Sequence, residues 1–110
     1  MHIARSLSAL LCGGALLVAA GHASADAIDG DWCTESGLRM TIRGPSLVSP
    51  GGAQVNGDYT RHGFSYAAPA GEPGGGGEVR LQLRGDNLML AEASAGSIER
   101  TWRRCGPPTS

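Results

Sequence analysis

From Leu38 onward the chain alternates apolar and polar residues over short stretches punctuated by Gly and Pro. Leu38, Met40 and Ile42 alternate with Arg39, Thr41 and Arg43, the period of two that gives a strand one apolar face and one polar face. Gly44-Pro45 ends that run, Ser46-Leu47-Val48 forms a short extended segment stopped by Pro50-Gly51-Gly52, and Gln54-Val55-Asn56-Gly57 reads as a turn or bulge. Tyr59 to Tyr66 reads as a strand pair or one bent strand interrupted at Gly63, because Gly inside a strand marks a bulge or a barrel corner. Val79, Leu81 and Leu83 alternate with Arg80, Gln82 and Arg84, Gly85-Asp86-Asn87 turns, and Leu88 and Leu90 begin another strand. Ala95-Gly96 makes a last turn before a final strand from Ile98 to Arg104 that carries Trp102. No helical period of useful length occurs. The pattern predicts an all-β fold, a small antiparallel meander of about seven short strands closing into a barrel filled by its own side chains.

Two segments fall outside that pattern. Residues 1–25 have a short basic start (His2, Arg5), an apolar run from Leu7 to Ala20, and the small-residue ending Ala23-Ser24-Ala25, which together read as a secretory signal peptide cut after Ala25. The apolar run is shorter than the roughly 20 residues needed to span a bilayer, so no stable membrane insertion is expected. The second segment, Ala67 to Gly77, reads AAPAGEPGGGG; it has little to bury and is costly to order, which predicts a flexible Gly-rich loop over residues 69–77. Residues 26–110 then form one small domain.

Composition narrows the function classes. The chain has 110 residues with 18 Gly and 5% aromatic side chains, and its nine basic residues, all Arg, face ten acidic ones for a formal charge of -1. That balance excludes the strongly basic footprint of an autonomous nucleic-acid binder. Removal of the leader also removes Cys12 and leaves Cys33 and Cys105 near the two ends of the domain. An exported chain with two cysteines most simply pairs them. Trp32 and Cys33 have opposite parity along their strand, as do Trp102 and Cys105, so both indoles can face the core while the disulfide ties the chain ends from outside or at the rim.

Few groups carry chemistry. His62 is the only histidine after residue 25, and Asp58 and Ser65 lie close to it in sequence, which raises a small hydrolase as an alternative reading. The same stretch, with Arg61, His62, Phe64 and Tyr66, offers a binding platform. Arg39, Arg43, Arg80 and Arg84, with Arg103, occupy polar strand positions and suit an anion-attracting outer face, whose partner would be another envelope protein or an anionic envelope polymer. Asp26, Asp29 and Asp31 lack EF-hand spacing, the GGGG run lacks the Gly-Lys-Ser/Thr of a phosphate loop, and no cofactor or metal is expected.

Gly30-Asp31-Trp32 at the start of the first strand and Trp102-Arg103-Arg104 on the last resemble the lipocalin-like (calycin) barrels, in which an early Trp is covered by an Arg from the final strand. The small periplasmic protease-inhibitor barrels share that signature. The GDWC start, the GDYTRHGFSY centre and the WRRC end look like small secreted Gram-negative proteins of unassigned function. Periplasmic lysozyme inhibitors are similar in size and in having a disulfide, although their inhibitory loop has no counterpart here. The resemblance implies a periplasmic or secreted, non-enzymatic binding or inhibitor-like module, with a ligand-carrying lipocalin-like barrel as a further alternative.

Overall fold

A computed structural model describes residues 27–106; the expected leader, Asp26 and residues 107–110 lie outside the described residues. Nine strands follow one another: β1 (Gly30–Cys33), β2 (Arg39–Arg43), β3 (Ser46–Val48), β4 (Gln54–Asn56), β5 (Asp58–Tyr59), β6 (Gly63–Ala67), β7 (Glu78–Gly85), β8 (Leu88–Ala93) and β9 (Thr101–Arg104). They form a single antiparallel sheet in the order β4-β3-β2-β1-β9-β8-β7-β6-β5. The first and last strands of the chain are therefore neighbours at the middle of the sheet. The two edge strands, β4 and β5, are consecutive in sequence and joined by Gly57 alone, so the sheet is nearly closed into a barrel.

The expectation of about seven strands is corrected to nine. Gln54-Val55-Asn56, read as a turn or bulge, pairs with β3 through Val48↔Gln54, Leu47↔Val55 and Ser46↔Asn56. The run from Tyr59 to Tyr66 divides because the chain reverses between Thr60 and Gly63, where the Thr60 N–H donates to the Gly63 carbonyl at 2.9 Å. Strands of two or three residues are too short to express a period. The segment of β4 and β5 runs as one strand bent at Gly57, whose N–H donates to the Pro45 carbonyl at 3.0 Å. A Cβ at Gly57 would collide with the Ser65 carbonyl oxygen and the Phe64 ring, so only glycine lets the corner approach β6 this closely. The final strand also begins later than the alternation suggests, at Thr101 rather than Ile98.

Alternation sets the inside and outside of the wall. Trp32, Met40, Ile42, Leu47, Phe64, Tyr66, Val79, Leu81, Met89, Ala91 and Trp102 point inward and are buried, with Ile28 and Ala68 sealing the ends. Both tryptophans are fully buried and satisfy their indole N–H groups locally, Trp32 on the Ile28 carbonyl at 3.0 Å and Trp102 on the Glu99 carbonyl at 2.7 Å. Cys33 and Cys105 have the opposite parity and join across the outside of the wall between β1 and β9, with a Cα–Cα distance of 5.1 Å.

Among the described residues, one buried side-chain polar group is left without a partner. The Tyr66 hydroxyl is buried and accepts and donates no hydrogen bond; burial first, and the Glu72 carboxylate second, push its pKa up to about 12. An unsatisfied buried hydroxyl costs about 1–3 kcal/mol, so Tyr66→Phe is expected to raise the urea midpoint by about 1 kcal/mol equivalent. The wild-type fold binds the phenolic proton more tightly than the unfolded chain, whose tyrosine titrates near 10. Stability is thus fully present below about pH 10 and falls, by roughly 3 kcal/mol in all, as pH rises towards 12. The Phe variant is expected to lose that alkaline decline, and an unchanged pH profile would contradict the assignment.

Candidate functional site

Because the strands run up and down, their connections gather at two ends. One end holds residues 34–38, 49–53, 68–77 and 94–100; the other holds 27–29, 44–45, 60–62, 86–87 and 105–106.

At the first end all four connections are tied to one another. The Glu72 carboxylate accepts hydrogen bonds from the Ser49 hydroxyl at 3.0 Å and the Gly51 N–H at 2.8 Å, linking the β6–β7 loop to the β3–β4 loop. The Gly74 N–H donates to the Ser97 carbonyl at 2.9 Å, and Ser94 and Glu78 exchange hydrogen bonds at 2.8 and 2.9 Å, linking it to the β8–β9 loop. The Glu99 carboxylate in turn accepts from the hydroxyls of Thr34 and Ser36 in the β1–β2 turn. The glycine-rich segment is itself a succession of tight turns, with Ala68 donating to Gly77 at 2.9 Å and Gly75 to Glu72 at 2.7 Å. Gly74 is buried, and a Cβ there would overlap Val79. Within this stretch only Ala68 and Gly74 are buried, and its own turns and the neighbouring β8–β9 loop supply partners for several of its backbone N–H and C=O groups.

Beside this end, on the outside of the wall, lies a groove of about 580 Å³ between the β1–β2 turn, the start of β9 and the disulfide, lined by Thr34, Glu35, Glu99, Thr101 and Cys105. It exists because β1 leaves the sheet after Cys33, its last pair with β9 being Cys33↔Arg103. The Cys105 N–H bonds to Asp31 on β1 while the Arg100 carbonyl bonds to Ala91 on β8. Alternation then aims the backbone N–H and C=O of Thr101 towards the β1 side, where, among the described residues, no strand pairs with it. No motif in the sequence signals this groove, since it arises from the stagger of two four-residue strands that pair through only two residues each.

The opposite end is closed by a plug. Ile28 is fully buried and donates its N–H to the Arg61 carbonyl at 3.1 Å. The Arg104 guanidinium lies 4.1 Å from the centre of the Trp32 ring and donates to the carbonyls of Asp86 at 2.9 Å, Ala27 at 2.6 Å and Asp29. Asp29 also accepts from the Tyr59 hydroxyl at 2.7 Å and the Gly44 N–H at 3.3 Å.

No family model, curated protein or solved structure matches the chain. The candidate residues are therefore judged by their placement. Phe64 and Tyr66 are core residues at 2% and 3% exposure. Arg61 and His62 are exposed in the β5–β6 turn rather than on a strand, which breaks the parity that placed His62 beside the two aromatics. Asp58 and Ser65 face each other across β5 and β6 and border a shallow depression with His62, yet among the described residues no hydrogen bond joins His62 to either. Arg39 and Arg43 lie on β2 and Arg80 and Arg84 on β7, with β1, β9 and β8 between them; at about 4.8 Å per strand they are some 19 Å apart around the wall and do not form one patch. Arg39 pairs with Asp31 at 2.9 Å, and Asp31 also takes the Thr41 hydroxyl at 2.7 Å. Among the described residues no group of three or more His, Cys, Asp or Glu is placed to hold a metal ion. Cys33 and Cys105 form a disulfide, a bond that oxidising compartments favour.

Proposed function

We propose that this protein is an exported, non-enzymatic binding or inhibitor-like module of the bacterial envelope, which presents its stitched loop end and the adjoining groove to a partner protein. The observation that carries the reading is the chain of hydrogen bonds through Glu72, Gly74 and Glu99 that fixes four loops around one end. Loops already ordered before binding lose less entropy on association, which is how inhibitor-type surfaces gain affinity. The unpaired backbone of Thr101 in the groove suits an extended partner segment added as a strand. The filled interior favours this reading over a ligand-carrying barrel, since Trp32, Met40, Met89 and Trp102 occupy the space a ligand would need. The stacking of Arg104 on Trp32, and the β4–β5 strand bent at Gly57, support the resemblance to lipocalin-like and protease-inhibitor barrels. The leader and the disulfide support a periplasmic or secreted location.

Photo-crosslinking in the producing cell tests the proposal. A benzophenone side chain at exposed Ala70, on the loop end, is expected to give a discrete adduct, and one at exposed Asp86, on the opposite end, none. Glu72→Ala unties the β3–β4 and β6–β7 loops and is expected to lower the Ala70 adduct several-fold while the far-ultraviolet circular dichroism stays unchanged. Equal adducts from both ends, or none from Ala70, would overturn the reading.

A further inference from the structure

The outer face of β7, β8 and β9 adjoins the groove, sharing Arg100, Thr101 and Arg103 with it, and extends beyond it. Register and alternation place its outward side chains in three rows. Arg80 lies beside Glu92, with Arg100 bonded to Glu92 from the far side at 3.3 Å. Gln82 lies beside Leu90 and Leu90 beside Thr101. In the third row Leu88 pairs with Arg103 on one side, and on the other it meets β7 at Gly85, directly after Arg84. Four arginines thus surround two outward leucines. Arg84 and Arg103 are two strands apart, about 10 Å.

The charges on this face are unevenly compensated. Glu78 pairs with Arg80 at 3.4 Å and Glu92 with Arg100, both at one end of the face. Arg84 has only the Gln82 amide oxygen at 3.3 Å. Among the described residues neither Arg84 nor Arg103 has a carboxylate within ion-pair distance. The face is therefore net positive on a chain of formal charge -1. Leu88 and Leu90 are only half-buried there, partly covered in the way long arginine stems cover apolar surface.

We infer that this face docks on an anionic phospholipid surface, with Arg84 and Arg103 forked onto headgroup phosphates and Leu88 and Leu90 settling at the boundary between headgroups and acyl chains. Guanidinium groups match phosphate oxygens in a bidentate fork. The leucines decide between sources of phosphate, because a soluble polyanion offers nothing apolar to set over them, whereas a lipid interface does. The contact is peripheral and depends on salt, as exposed charges are screened within about 8–10 Å at ordinary ionic strength. The face shares Arg100, Thr101 and Arg103 with the groove, whereas Arg80, Arg84, Leu88 and Leu90 lie outside it, so substitutions at those four positions test this inference separately from the loop-end reading.

The test is vesicle co-sedimentation of the protein purified from a host that exports it, with its disulfide intact. Vesicles of phosphatidylcholine with 30% phosphatidylglycerol at low salt are expected to retain it, pure phosphatidylcholine vesicles are not, and a rise to about 0.5 M salt should release it. Arg80→Glu with Arg84→Glu should lower binding at least ten-fold, whereas Arg39→Glu with Arg43→Glu, on the far side of the barrel, should change it less than two-fold. Leu88→Gln with Leu90→Gln should weaken vesicle binding several-fold while leaving any retention on immobilised polyphosphate unaltered. All these substitutions are on outward positions, and circular dichroism verifies that each variant is folded. Three results would overturn the inference: no retention on anionic vesicles, equal loss from the two arginine pairs, or vesicle binding untouched by the leucine changes, the last assigning the face to soluble polyanions.

Discussion

Replacing Cys33 and Cys105 together with alanine is expected to remove about 4 kcal/mol of folding stability. The bond spans 72 residues of sequence, nearly the whole described chain. In the chain-entropy model a closed loop of that size raises the free energy of the unfolded state by about 4 kcal/mol. The native sheet has little to replace it with, because β1 and β9 meet through the pairs Trp32↔Arg104 and Cys33↔Arg103 and one further backbone bond, from the Cys105 N–H to the Asp31 carbonyl. A domain of this size has a total stability of roughly 5–10 kcal/mol, so the double variant should sit near the edge of folding. Urea unfolding of the oxidised protein against the double variant measures the difference. Equal midpoints would show that the β1–β9 junction holds without the bond. Reduction of the wild-type protein should reproduce the variant's midpoint, which separates loss of the cross-link from loss of two side chains.

The second large effect is expected at Arg104. Its guanidinium ties three separate carbonyls, those of Ala27, Asp29 and Asp86, and stacks on Trp32. Hydrogen bonds from a charged donor contribute about 1.5–3 kcal/mol each and a cation–π contact about 0.5–2 kcal/mol, but the contributions overlap. Arg104→Ala is therefore expected to cost about 3 kcal/mol and to free the 27–29 plug. Arg104→Lys should recover less than half of that, since an ammonium is a single point charge and cannot fork to three acceptors while lying flat on an indole. Urea unfolding gives the energies. Hydrogen exchange at the Ile28 amide and the Trp32 indole should accelerate in both variants, as each donates to a partner within the plug or beside it. A lysine variant as stable and as protected as wild type would refute the role assigned to the fork. Gly30 belongs to the same unit, with φ +130 and the Arg104 guanidinium where a Cβ would stand, so glycine at that position serves both the backbone conformation and the passage of the arginine.

The uneven legibility of this chain follows from the range of the forces involved. Alternation is local, so Met40 and Ile42, Val79 and Leu81, and the two tryptophans were assignable to the inner face from their neighbours alone. The outward parity of Cys33 and Cys105 was readable for the same reason. Which Arg of the Trp102-Arg103-Arg104 run covers Trp32 is decided by the register of β9, which puts Arg103 outside beside Leu88 and Arg104 inside beside Trp32. Tyr66 shows the limit differently. Its place in one stretch with His62 suggests a shared platform, yet the reversal at residues 60–63 leaves His62 exposed in a turn while Tyr66 enters the core.

The sequence by itself determined that this chain builds an all-β, antiparallel, disulfide-tied sheet with its tryptophans inside, because a period of two, turn residues and cysteine parity act over neighbours a few positions apart. Only the tertiary structure decided which loops hold one another, where β1 falls short of β9, and which arginines share a face. Those properties depend on strand order and register, through which Glu72 meets Ser49, Glu99 meets Ser36, and Arg84 and Arg103 come to flank Leu88 from the two strands beside it.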